Sequence, residues 1–144
     1  MFVFLRNETI DDGVRKVMES TVQRILVVDD EVLIADTLSL IFRKHGFDAR
    51  VAYSGEEALD CAYDFQPQLL LCDISMPGMG GLQLMDDIAR DLPRCRILVL
   101  TGYYSHLDKV RAQAQMLACP APVLIKPCNP QDILREAGNM LAIA

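Results

Sequence analysis

Three aspartates, a threonine and a lysine hold equivalent positions in four separated stretches of the chain. Asp29 and Asp30 follow the apolar run Ile25, Leu26, Val27 and Val28, and Asp73 follows Leu69, Leu70, Leu71 and Cys72. Thr101 follows Ile97 to Leu100, and Lys126 follows Val123, Leu124 and Ile125. Short apolar runs separated by helical patterns read as strands of a parallel sheet, and parallel strands bring their C-terminal ends to one edge. Open α/β sheets hold ligands outside that edge. The arrangement predicts an acidic, oxygen-rich pocket with one fixed cation beside it, suited to magnesium and a phosphoryl group.

The elements that must position these groups follow from periodicity. Val32, Ala35, Leu38, Ile41 and Phe42 have helical spacing, with Gly46 as the stop after Lys44 and His45. Asp48 to Ala52 reads as a second strand. Ser54-Gly55-Glu56-Glu57 reads as a cap leading into a helix that carries Ala58, Leu59, Ala62 and Phe65 and closes before Pro67. Leu82, Leu84, Met85 and Ile88 mark a third helix, and Leu107, Val110, Ala114 and Leu117 a fourth. The last helix begins near Asn129-Pro130, with asparagine as cap, and buries Ile133, Leu134, Ala137 and Leu141. Strand and helix alternate five times.

At these residues the chain resembles the receiver domain of two-component response regulators. Val27-Val28-Asp29-Asp30-Glu31 is similar to the family's acidic pair, and Asp73-Ile74-Ser75-Met76-Pro77-Gly78-Met79 with Gly81-Leu82 to its phosphoacceptor segment. Thr101 and Lys126-Pro127 are similar to its switch hydroxyl and lysine. The order and spacing of the four motifs are specific where each short string alone is not. The resemblance covers roughly Arg24 to Leu141 and implies a doubly wound, five-stranded parallel sheet of flavodoxin-like order, a (βα)5 receiver fold. Residues 1–22 are then an N-terminal extension and 23–144 the receiver domain.

The resemblance implies a role for each group. Asp73 is the phosphoacceptor. Asp30 and Asp73 would ligate Mg2+ directly, Asp29 through water, and the Ser75 backbone carbonyl would be a further ligand. Thr101 and Lys126 would each meet a phosphoryl oxygen, and Lys126 would pair with Asp73 when no phosphoryl is present. Pro127 falls where the family's peptide bond is cis. Taken alone, Asp30 would read as a helix N-cap, but that does not explain its coincidence with Asp73. Gly78, Gly80 and Gly81 lack the Walker pattern and read as the turn after the acceptor strand.

The chain departs from the family near its usual output surface. Receivers carry tyrosine or phenylalanine three residues before the lysine, and this chain has Val123, which is short and β-branched and has no ring to rotate. Cys119-Pro120 precedes the last strand where Gly-Ala is common. Atypical output switching is therefore expected. Ser75 and Tyr103 occupy the two variable positions that tune acyl-phosphate hydrolysis in the family.

With 144 residues the chain has room for one domain with a substantial core, and is short for a receiver joined to an output domain. A net charge of −6 argues against a nucleic-acid surface, and no helix-turn-helix or zinc-finger pattern follows the receiver pattern. Five cysteines with no C-x-x-C pair read as reduced thiols. No apolar run is long enough to span a bilayer, so no membrane contact and a cytoplasmic location are expected. In the extension, Ile10, Val14, Val17 and Met18 share one helical face. That pattern fits a helix packed on its own domain, an extension created by an early start codon, or a docking or homodimerisation helix.

The leading expectation is a single-domain phosphoacceptor switch rather than an enzyme, with only self-catalysed phosphorylation and dephosphorylation. Its donor would be a histidine kinase or histidine phosphotransfer protein. Its downstream protein target would bind the face made by the fourth helix, fifth strand and fifth helix. Two other readings compete: a phosphate-independent receiver-like interaction module, which Val123 favours, and a small magnesium-dependent phosphatase, for which Ser75 is unsuited as the acid.

Overall fold

The computed structural model describes residues 22–74, 80–102 and 107–142 of the chain. Residues 1–21, which make up all but the last residue of the expected N-terminal extension, lie outside the described residues, as do Ser75 and Tyr103. Five strands, β1 (Arg24–Val28), β2 (Asp48–Ala52), β3 (Leu69–Asp73), β4 (Arg96–Thr101) and β5 (Val123–Ile125), form one parallel sheet in the order β2-β1-β3-β4-β5. They alternate with α1 (Val32–Lys44), α2 (Gly55–Phe65), α3 (Gly81–Asp91), α4 (Leu107–Met116) and α5 (Pro130–Ala142). This is the doubly wound, flavodoxin-like receiver fold expected from the sequence. The strand order reverses direction between β1 and β3, and such a switch point opens a crevice at the carboxyl ends of those strands.

Both faces of the sheet are covered, which is why the strands read as continuous apolar runs rather than alternating ones. One face, with Leu26, Val28, Leu70, Cys72, Ile97 and Val99, packs on Ala58, Ala62, Leu84, Met85, Ile88, Val110 and Ala114 from α2, α3 and α4. The other, with Ile25, Val27, Leu69, Leu71, Leu98 and Leu100, packs on Ala35, Leu38, Phe42, Ile133 and Ala137 from α1 and α5. Complete burial of a Leu or Ile side chain stabilises the fold by about 1.5–3 kcal/mol, so the two packed layers anchor the strands that carry the site.

Local signals set the helix ends. Ser54 caps α2: its Oγ accepts from the Glu57 backbone N–H at 3.1 Å, while Glu57 Oε1 accepts from Tyr53 N–H at 2.5 Å. Asn129 Oδ1 accepts from Gln131 N–H at 2.9 Å, leaving Pro130 in the first turn of α5 where its missing donor is harmless. Gly46 takes φ +92° just past α1, as its place in the sequence suggests. The end of α2 differs: Gln66, not a glycine, adopts the left-handed conformation at φ 53°, and its N–H closes on Ala62 O at 2.9 Å.

Candidate functional site

Strand register brings the acidic residues together. Val27 pairs with Leu71 and Val28 with Cys72, so Asp29 emerges beside Asp73 at the two central strand ends. Asp29 N–H donates to Ala52 O at 3.2 Å, continuing the β1–β2 ladder by one step. Ile74 N–H donates to Leu100 O at 3.1 Å, fixing the exit from β3. On the far side, Lys126 N–H donates to Thr101 O at 2.8 Å. Asp29, Asp73 and Thr101 are the charged or hydroxyl groups that end buried strands here, exposed by 1%, 4% and 1% respectively.

Carboxylate oxygens of Asp29, Asp30 and Asp73 lie within 4.8 Å of one another. Asp29 and Asp73 are buried and Asp30 is exposed, so the cluster has a closed side and an open side. Three carboxylate oxygens at this spacing fit a hard divalent cation such as Mg2+, which takes one or two carboxylates and keeps several waters. Asp30 is not the N-cap of α1. Glu31 holds that position without a side-chain cap bond, and Asp29 Oδ1 accepts from Glu31 N–H at 3.0 Å. The capping alternative for Asp30 therefore fails, because its neighbour's carboxylate already serves the start of the helix.

Lys126 Nζ donates to Asp29 Oδ2 at 3.0 Å and lies 3.6 Å from Asp73 Oδ2. Burial pulls the ammonium's pKa down. The hydrogen bond to Asp29 and the charges of Asp73, Asp29 and Glu31 outweigh that effect, leaving it above the usual lysine value. The Lys126-Pro127 peptide bond is cis, as the resemblance implied. Cys72, fully buried beside Asp73, is held far above the usual thiol range, first by desolvation and then by the charges of Asp73 and Asp29. It is therefore a neutral packing group.

The structure adds a steric constraint and a surface to the sequence reading. Gly81 is the first residue of α3 rather than part of a turn. A Cβ there would stand 2.5 Å from both Asp73 O and Ile74 Cα. Only the absence of a side chain lets this helix start against the backbone of Asp73, and no spacing rule marks that. Between α1 and the β5–α5 connection runs an apolar groove of about 540 Å3, lined by Leu33, Ile34, Lys126, Pro127, Cys128 and neighbouring residues. Its constituents come from opposite ends of the sequence, so no local pattern announces it. Val123 is half-buried against the layer that includes Val99 and Ala121.

Comparison with known proteins agrees with this geometry. A receiver-domain protein described as CheY-like from Methanospirillum hungatei is 29% identical, with a TM-score of 0.76, covering 84% of this chain and 94% of that one. The chemotaxis response regulator CheY4 of Vibrio cholerae is 25% identical, with a TM-score of 0.72, covering 82% and 98%. The response regulator TrrA of Thermotoga maritima, solved in complex with Mg(2+)-BeF, is 29% identical, with a TM-score of 0.69, covering 81% and 97%. The model of the response regulator receiver domain matches residues 25–137. The chain belongs to the response regulator receiver domain family.

Proposed function

We propose that this receiver accepts a phosphoryl group on Asp73 from a phosphohistidine donor. The observation that carries the reading is the convergence of Asp29, Asp30 and Asp73 within 4.8 Å, with the Lys126 ammonium 3.0 Å from Asp29 and 3.6 Å from Asp73. An Asp73 carboxylate oxygen attacks phosphorus, the P–N bond breaks, and its electron pair returns to the donor imidazole. The product is an acyl phosphate. Hydrolysis removes the phosphoryl group: water attacks phosphorus, the P–O bond to Asp73 breaks, and carboxylate and inorganic phosphate are released.

Asp30 and Asp73 would hold Mg2+, with Asp29 contacting it through water and Ser75 contributing its carbonyl. The bound ion supplies neutralisation of carboxylate and phosphoryl charge. Lys126 adds a positive charge within reach of the acceptor, and its tie to Asp29 keeps it from swinging out to solvent. Thr101, buried at the end of β4, is the hydroxyl donor to a phosphoryl oxygen.

The apolar groove beside Lys126 supports a protein donor. Leu33 is 79% exposed at its rim, and a histidine kinase or phosphotransfer protein reaching Asp73 would cover it. Val123 supports an output that does not depend on aromatic rotation, read on the α4, β5 and α5 face. Among the described residues no helix is long and apolar enough to cross a membrane.

The test is intact mass after incubation with Mg2+ and phosphoramidate, alongside Asp73→Asn. A gain of about 80 mass units, absent from the variant, is expected. No gain when Mg2+ and a phosphohistidine donor are both supplied would favour the phosphate-independent interaction module.

A further inference from the structure

At the pole opposite the acidic cluster, three arginines gather around the starts of β1 and β4. Arg24 opens β1, Arg96 opens β4, and Arg94 lies in the connection between α3 and β4. With Gln66 and Gln68 they border a concavity of about 530 Å3, within the range of small-molecule pockets.

The border is fixed by backbone bonds. Gln68 N–H donates to Arg24 O and Arg96 N–H to Gln68 O, each at 2.9 Å, while Arg24 N–H donates to Gln68 Oε1 at 2.9 Å. Arg24 Nε donates to Phe65 O at 3.1 Å and Gln66 O at 2.9 Å, which anchors the guanidinium and leaves its terminal nitrogens for other partners. Among the described residues, none of the three arginines has a carboxylate within ion-pair distance. Among the described residues the one acid at the border, Asp91, is already engaged: Arg90 Nε donates to it at 2.8 Å and Tyr63 Oη at 2.6 Å.

Arginine near a helix C-terminus has a simpler role as a dipole partner, and α2, α3 and α5 all end at this pole. The magnitudes decide against that role alone. Each helix end carries roughly −0.5 of a charge, about −1.5 together, against three full guanidinium charges. A net positive concavity remains in a protein whose overall charge is −6.

We propose that this concavity binds a compact polyvalent oxyanion, a phosphate ester or a di- or tricarboxylate. Arg94 and Arg96 would grip its oxygens as planar forks, with Arg24 and the Gln66 and Gln68 amides completing the cradle. The site is separate from the acidic cluster and takes ligands of opposite charge.

The test is calorimetric titration of the full chain in metal-free buffer at constant ionic strength, with pyrophosphate and with citrate as probes. Amide shifts in NMR spectra locate the binding. Saturable binding is expected, with shifts centred on residues 66–68 and 92–96, weakened at least about tenfold in Arg94→Gln/Arg96→Gln and unchanged in Asp73→Asn. The stronger probe assigns the phosphate or the carboxylate class. Absence of binding by both probes, equal affinity in the double variant, or shifts centred on Asp29 would each overturn the proposal. Where the double variant loses its native spectrum, exposed Arg94→Gln alone decides: a clear loss of affinity supports the site, and unchanged affinity overturns it.

Discussion

Lys126 Nζ reaches Asp29 at 3.0 Å and Asp73 at 3.6 Å, so the ammonium is ion-paired with both carboxylates and sits closer to the one beside the acceptor. The shorter bond to Asp29 keeps positive charge within reach of Asp73. A lysine paired only with Asp73 would have to be displaced before an incoming phosphoryl group could approach.

The anchoring has a pH signature. The Lys126 pKa is raised in the folded protein above its ordinary 10.5. The pair's contribution to stability is therefore fully present below about pH 10.5 and lost as pH rises through the higher folded value. Lys126→Met should be less stable than the parent by about 1–3 kcal/mol at pH 8, since it leaves buried carboxylates without a charged donor. The gap should narrow above pH 10.5. Denaturant unfolding of both proteins from pH 8 to 11.5 measures it, and a gap independent of pH would refute the anchoring.

Removing one carboxylate should separate metal binding from folding. The cluster has three acidic groups and one ammonium, a formal charge of −2 that a divalent cation neutralises. Asp30 is the exposed member and is not used in capping α1, so Asp30→Asn should fold normally. Millimolar Mg2+ should raise the parent's melting temperature through ligand linkage and raise that of the variant much less. Equal shifts would place the ion elsewhere.

Much of this site was legible because each functional group terminates an apolar run, and burial of a parallel sheet forces such runs to be continuous. Val123 to Ile125 is only three residues long, yet it is recognisable because Lys126 ends it as Asp73 ends β3. Features made by encounters between distant segments were not legible. The preference of Lys126 for Asp29 depends on side-chain reach across β3. The α2 terminus at Gln66 depends on a left-handed residue that no glycine marks. Asp30 read plausibly as a cap because the sequence does not show that Asp29 Oδ1 takes the Glu31 N–H.

Gly81 illustrates the same limit and gives a sharp contrast. A methyl group at Gly81 would meet Asp73 O and Ile74 Cα at 2.5 Å, whereas at Gly102 the nearest neighbour among the described residues would be Lys126 Cβ at 3.8 Å. Gly81→Ala should destabilise the fold by about 1–3 kcal/mol through forced backbone displacement and slow phosphorylation of Asp73. Gly102→Ala should change stability by no more than about 0.5 kcal/mol. Thermal unfolding and phosphoramidate kinetics on both variants check this, and similar behaviour of the two would show that the close approach is not limiting.

Ser39 carries a prediction of the opposite sign. It lies inside α1, is 1% exposed, and its Oγ has no hydrogen-bond partner among the described residues. A buried hydroxyl without a partner forfeits its hydration, at a cost of about 1–3 kcal/mol. Serine also favours a helix interior less than alanine does, by a few tenths of a kcal/mol. Truncation to alanine removes both penalties but leaves a space the size of one oxygen atom, which offsets part of the gain. Ser39→Ala should therefore be more stable than the parent by about 1 kcal/mol, with phosphorylation of Asp73 unchanged. Urea midpoints at constant m-value give the comparison. A loss of stability would mean that the hydroxyl is satisfied by a bound water, a role that Ser39→Thr would partly preserve and Ser39→Ala would not.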